Sequence, residues 1–115
     1  GDILWSKSYG GSDEDRAYAI QQTTDSEFVV AGYSQSTDGD VSGNHGNEDY
    51  WILHLDTLGD ILWTKSYGGS GDDEASAIQQ TSDGGFIVAG YSSSTDGDVW
   101  GNHGDEEDYW ILRLD

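Results

Sequence analysis

At 115 residues the chain suits one small domain, and its formal net charge of −19, from 23 Asp and Glu against four Lys and Arg, dominates its chemistry. Such a field repels DNA, RNA and anionic membranes; it attracts cations, calcium first among them, or else serves only to keep an aromatic β-protein soluble. With no cysteine, disulfides and thiolate metal sites are excluded, and no apolar run approaches the roughly 20 residues of a membrane helix.

In chain order, ILWSKSY (residues 3–9) alternates. Ile3, Trp5, Lys7 and Tyr9 share one face, Leu4, Ser6 and Ser8 the other, and lysine suits an exposed edge strand. The loop GGSDED leads into AYAIQQT (residues 17–23), and the turn TTDSE into FVVAGYS (residues 28–34). Small Ala19, Ala31 and Gly32 fit strands near a crowded axis, as do their counterparts Ala77, Ala89 and Gly90. The acidic loop STDGDVSGNHGNED precedes YWILHL (residues 50–55), whose apolar character on both faces predicts a strand covered on both sides.

The chain then begins again. GDILWSKSYGG (residues 1–11) returns as GDILWTKSYGG (residues 59–69), and FVVAGYSQSTDGDVSGNHG (residues 28–46) as FIVAGYSSSTDGDVWGNHG (residues 86–104). DYWILHLD (residues 49–56) returns as DYWILRLD (residues 108–115), after one inserted acid. The copies occupy residues 1–58 and 59–115, and a period this long marks a supersecondary unit that stacks on copies of itself. The expectation is an all-β chain of two tandem four-stranded antiparallel repeats resembling propeller blades. They would belong to a longer array or to an oligomeric or fibrous assembly. Residues 17–67 would make one complete blade, residues 1–9 the outer strand of a preceding one, and residues 75–115 a blade lacking its outer strand. Because it begins and ends mid-pattern, the chain is expected to be a piece of a longer polypeptide, continued by further repeats or by copies of itself.

The run W-x-K-x-Y-G-G-S, the segment AIQQT, a DGGF turn and VAGYSSS together resemble the bacterial beta-propeller repeat family of secreted Bacteroidota surface proteins. The likeness is carried by Trp5, Lys7, Tyr9 to Ser12, Phe28 to Ser34, Asp38 to Gly46, Asp49 to Asp56 and their second-copy counterparts. It implies secretion to the cell surface and a structural or adhesive role, and it brings no catalytic residues. It also likens Asp56-Thr57-Leu58 to a short O-glycosylation motif, with the sugar on Thr57.

Counted from Asp38, the acidic loop places oxygens at Asp38, Asp40 and Ser42, then Gly43, Asn44 and a final carboxylate at Asp49, a spacing similar to a calcium loop. The second copy offers Asp96, Asp98, Asn102 and Asp108, with Trp100 in place of Ser42 and the inserted acid among Asp105, Glu106 and Glu107. The alternative is an Asp-Gly turn between strands. In GGSDED and its counterpart, Asp13, Asp15, Asp72 and Asp73 read as a solvated turn rather than cation ligands. His45, His54 and His103 read as hydrogen-bonding residues, since no partner set completes a zinc site. Trp100, in a glycine-flanked loop near His103, either stacks on a sugar or anchors a partner, or packs on the adjacent unit. No activated nucleophile or oxyanion motif is present, so an enzyme is not expected.

Overall fold

Residues 1–104 and 106–115 are described by the structure, a computed structural model, and every regular element among them is a strand. The strands are β1 (Asp15–Gln22), β2 (Phe28–Ser34), β3 (Asp49–Leu55), β4 (Ile61–Tyr67), β5 (Asp73–Gln80), β6 (Phe86–Ser92) and β7 (Asp108–Leu114). They form two antiparallel sheets, one of four strands in the order β1-β2-β3-β4 and one of three in the order β5-β6-β7. One sheet has the four strands expected of a full repeat; the other has three, within the segment expected to lack its outer strand. Residues 3–9, expected as a strand from their alternation, form none. A strand exists only where an edge hydrogen-bonds to it, and no edge pairs with this segment.

Tight turns set the register. Between β1 and β2, Thr23 N donates to Glu27 O at 2.9 Å and Ser26 N to Thr23 O at 3.1 Å, which puts Ser26 at φ +67°. The equivalent turn of the second copy has Gly84 there, at φ +88°. Each first strand bulges, between Ala17 and Ala19 in β1 and between Ala75 and Ala77 in β5. The bulge explains two of the small residues. A Cβ on Gly32 would lie 1.8 Å from Arg16 O, and one on Gly90 would lie 1.9 Å from Glu74 O, so only glycine lets the next strand approach.

The two sheets pack face to face, with β5 lying across β1, β2 and β3. The core between them joins Val29, Ala31, Tyr50 and Ile52 of the first sheet to Ala75, Ile78, Phe86, Val88 and Trp110 of the second. Tyr50 is fully buried; its ring lies 4.7 Å from that of Trp110, and its hydroxyl donates to Trp110 O at 2.6 Å. Further polar stitches cross the seam. Asp73 N donates to Glu48 O at 2.6 Å, Gln80 N to Gln21 Oε1 at 2.8 Å, and Thr24 N to Gln80 Oε1 at 3.0 Å.

The other face of the four-stranded sheet carries a second cluster: Val41, Trp51, Leu53 and Leu55, with Phe28, Val30 and Tyr9 against them. β3 is thus covered on both sides, as its sequence predicts, and six of its seven residues are buried. Part of that cover is the strandless N-terminal segment. Trp5 stacks edge-on against Phe28 with centroids 6.2 Å apart and planes at 64°. This is the arrangement of Trp63 on Phe86, at 6.4 Å and 63°. The N-terminal segment therefore lies over the first sheet as β4 lies over the second.

Candidate functional site

The acidic loops are where the two copies concentrate their chemistry, and each loop is a clasp. Asp40 N donates to Gly10 O and Gly10 N returns a bond to Asp40 Oδ2, both at 3.0 Å, while Ser12 N and Oγ both donate to Asp38 at 2.8 Å. Hydrogen bonds from Ser12 hold the Asp38 carboxyl below its ordinary range. The second copy repeats the clasp: Asp98 N to Gly68 O at 2.9 Å, Gly68 N to Asp98 Oδ2 at 3.0 Å, and Ser70 N to Asp96 Oδ1 at 2.7 Å. Gly39 and Gly97, both at φ +64°, make the Asp-Gly turn that each clasp needs.

Downstream, Asn44 Nδ2 donates to Ser34 O at 3.0 Å and Ser36 O at 3.2 Å, and Asn102 Nδ2 to Ser92 O at 3.0 Å. Asp49 Oδ2 accepts from the His45 backbone N and meets His45 Nδ1, both at 2.7 Å; Asp108 does the same with His103, both at 2.9 Å. The His103 bonds hold the Asp108 carboxyl down, whereas burial pushes Asp49 up against the pull of His45. Asp49 is fully buried and its Oδ1 has no hydrogen-bond partner. Ser42 is exposed and Trp100 is 89% exposed, so Trp100 does not pack on the neighbouring sheet. Thr57 is exposed in the turn between β3 and β4, and its carbonyl accepts from Trp5 Nε1 at 3.2 Å. Among the described residues no three His, Cys, Asp or Glu side chains gather closely enough to hold a metal ion; Asp105 lies outside them.

Sequence reasoning missed Asp15 and Asp73. Expected in a solvated turn, Asp73 is fully buried; it accepts from Gly69 N at 3.1 Å, from Ser94 Oγ at 2.9 Å and from Ser92 Oγ. Asp15 makes the same set with Gly11, Ser34 and Ser36. The available signal was the Ser-x-Ser pair whose first serine ends β2 and β6, present with the aspartate in both copies.

Between the sheets the clasps meet a strip of carboxylates. Glu48 accepts from Gln35 Nε2 at 3.0 Å and faces Glu74. Burial, and then the hydrogen bond with Glu74, raise the Glu48 carboxyl to about 7. His45 spans the same seam, with Nε2 3.8 Å from Asp98, and its bond to Asp49 raises its affinity for a proton.

The remaining candidate surfaces are the two outward faces. On the three-stranded sheet, Tyr109, Ile111 and Ile87 are 94%, 55% and 41% exposed; their counterparts Tyr50, Ile52 and Val29 are all 0% exposed between the sheets. On the four-stranded sheet, Ile20, Val30, Trp51 and Leu53 line an apolar pocket flanked by Trp5 and Tyr9. The counterparts of those four, Ile78, Val88, Trp110 and Leu112, take part in the inter-sheet core. No protein-family model matches this chain, and a search of curated proteins likewise finds no match.

Proposed function

We propose that the chain is a non-enzymatic structural or adhesive repeat unit, secreted or displayed at the cell surface, whose sheets are blades of a longer propeller-like or fibrous β-array. Neighbouring units join by completing one another's sheets. The observation that carries this is the placement of residues 3–9. They match β4 in sequence, and Trp5 rests on Phe28 as Trp63 rests on Phe86, yet they pair with no strand, while β7 has no fourth strand beside it. An unpaired strand edge is a template for another strand. One end of the unit holds an unpaired segment with the sequence of β4, and among the described residues the sheet at the other end has no such strand.

The test is a chain extended after Asp115 by an added copy of residues 57–69, which supplies both the turn after Asp56 and the β4 strand. Completing the three-stranded sheet adds cross-strand pairs worth roughly 0.2–1 kcal/mol each, so the melting temperature rises by several degrees. An unchanged melting temperature would argue against strand completion.

Calcium enters this reading as a stabiliser of the Asp38–Asp49 loop, supported by the unpartnered, buried Asp49 Oδ1. The ion would compete with the N–H donors that now hold Asp38 and Asp40. Calcium that leaves the melting temperature where chelator puts it removes the ion from the account. The alternative function, a carbohydrate- or protein-binding module, rests on the exposure of Trp100 beside His103, and a glycan array without hits counts against its sugar form.

A further inference from the structure

At one place the outward faces replace an acid of the buried seam with a base. Inside the chain, Glu48 of the first sheet faces Glu74 of the second. Each repeats elsewhere: the position of Glu48, just before the buried aspartate, is taken in the second copy by Glu107, and that of Glu74 is taken in the first copy by Arg16. Glu107 is exposed, immediately before β7, near Tyr91 on the outward face of the three-stranded sheet, whose phenol is held protonated first by burial, then by Glu74, and then by Glu107. Arg16 borders the apolar pocket on the other outward face and pairs with Glu14, 3.5 Å away, with 58% of its side chain exposed.

We propose that two copies of this chain dock head to tail, the three-stranded sheet of one seating Tyr109 and Ile111 in the apolar pocket of the other, so that Glu107 of one copy meets Arg16 of the next. This rests on the repeat-unit reading above and adds the partner and its register. Three observations carry it. The contact continues the interface already inside the chain, with Tyr109 taking the place of Tyr50 against Trp51 instead of Trp110. The segment of residues 3–9 already lies where the docked sheet needs its fourth strand. By analogy with the pairs Tyr50–Tyr67, Ile52–Lys65 and His54–Trp63, Tyr9 falls opposite Tyr109, Lys7 opposite Ile111 and Trp5 opposite Arg113. At this one position the seam between copies also pairs an acid with a base where the internal seam pairs two acids, which favours contact between copies at Arg16. The two docking faces are different surfaces, so the contact propagates as a ring or an open fibre rather than closing as a twofold dimer.

Sedimentation velocity across a concentration series, in about 0.15 M salt so that repulsion between acidic copies is screened beyond about 8 Å, reads the association directly. The expected result is concentration-dependent growth beyond the 12.5 kDa monomer. Arg16→Glu places like charges together and raises the dissociation constant about tenfold or more; adding Glu107→Arg to it restores the original value. Both side chains are exposed, and a circular dichroism spectrum confirms that each variant folds. Because the chain has no cysteine, Lys7→Cys with Ile111→Cys gives a clean register probe: oxidation links copies, while Lys7→Cys with Arg113→Cys, two residues out of register, does not. A monomer at every concentration, or an Arg16→Glu effect that Glu107→Arg fails to reverse, overturns the proposal. If the strand-extended chain is nonetheless stabilised, the repeat-unit reading stands and a second copy is the wrong occupant. If neither result appears, both fall.

Discussion

Tyr50 and Tyr109 occupy the same place in the two copies and differ only in what covers them, so one substitution made at each tests whether the faces are interfaces. Tyr50 is fully buried and its hydroxyl donates to Trp110 O at 2.6 Å; Tyr109 is 94% exposed. Tyr50→Phe leaves the ring and its 4.7 Å stacking on Trp110 in place and removes only the donor. The Trp110 carbonyl, on a residue 9% exposed, is then left without that bond, at a cost of about 1–3 kcal/mol. For a domain of this size the loss lowers the melting temperature by roughly 5–15 °C. Tyr109→Phe removes a solvated hydroxyl and changes stability by less than about 0.5 kcal/mol. Urea unfolding followed by tryptophan fluorescence, at a concentration where the chain is monomeric, gives both numbers. Equal effects at the two positions, or none at Tyr50, would refute the packing described here.

Ser26 sits at φ +67° where the second copy has glycine, so Ser26→Gly relieves left-handed strain and stabilises by about 0.5–1 kcal/mol net, read from the urea midpoint. Gly90→Ala does the opposite: its Cβ would lie 1.9 Å from Glu74 O and 2.8 Å from Ala75 Cα, both backbone atoms, and the cost is at least about 3 kcal/mol. Stability should also depend on pH through the seam. Glu48 holds its proton up to about 7 in the folded state, above the ordinary 4.5, so its contribution is full below pH 4.5 and is lost as pH rises through 7. His45, also raised, and the buried Asp49 and Asp73 act in the same direction, whereas Asp38, Asp96 and Asp108, held down by hydrogen bonds, lose their contribution as pH falls. Thermal melts should therefore rise from pH 8 to about 4.5 and fall again in stronger acid, and Glu48→Gln should flatten the alkaline limb while leaving the acid limb in place.

The strands were legible because their periodicity is local. FVVAGYS and ILWTKSY end where β2 and β4 end, and the doubly apolar YWILHL lies within β3. Residues 3–9 carry the same alternation as β4, but a sequence window does not include the edge a strand must pair with, so it reads as a strand that is absent. Aspartates were the least legible. Asp73 and Asp38 both stand beside Gly- and Ser-rich stretches of sequence, and nothing local separates the buried one from the exposed one. What separates them is that Ser92 and Ser94 reach Asp73 from β6 and the residues after it, across 19 and 21 positions of sequence. The Glu48–Glu74 seam was out of reach for the same reason, since it exists only once the two sheets stack.

The central claim, that the repeat is a unit built to be continued, is tested most directly by chains carrying two, three and four copies of the repeat in tandem. Nearest-neighbour stacking predicts that the urea midpoint and its slope both rise with each added copy, because each new copy buries the Tyr109 face of the one before it. A midpoint that stays the same whatever the number of copies, as independent domains on a string would give, would contradict it.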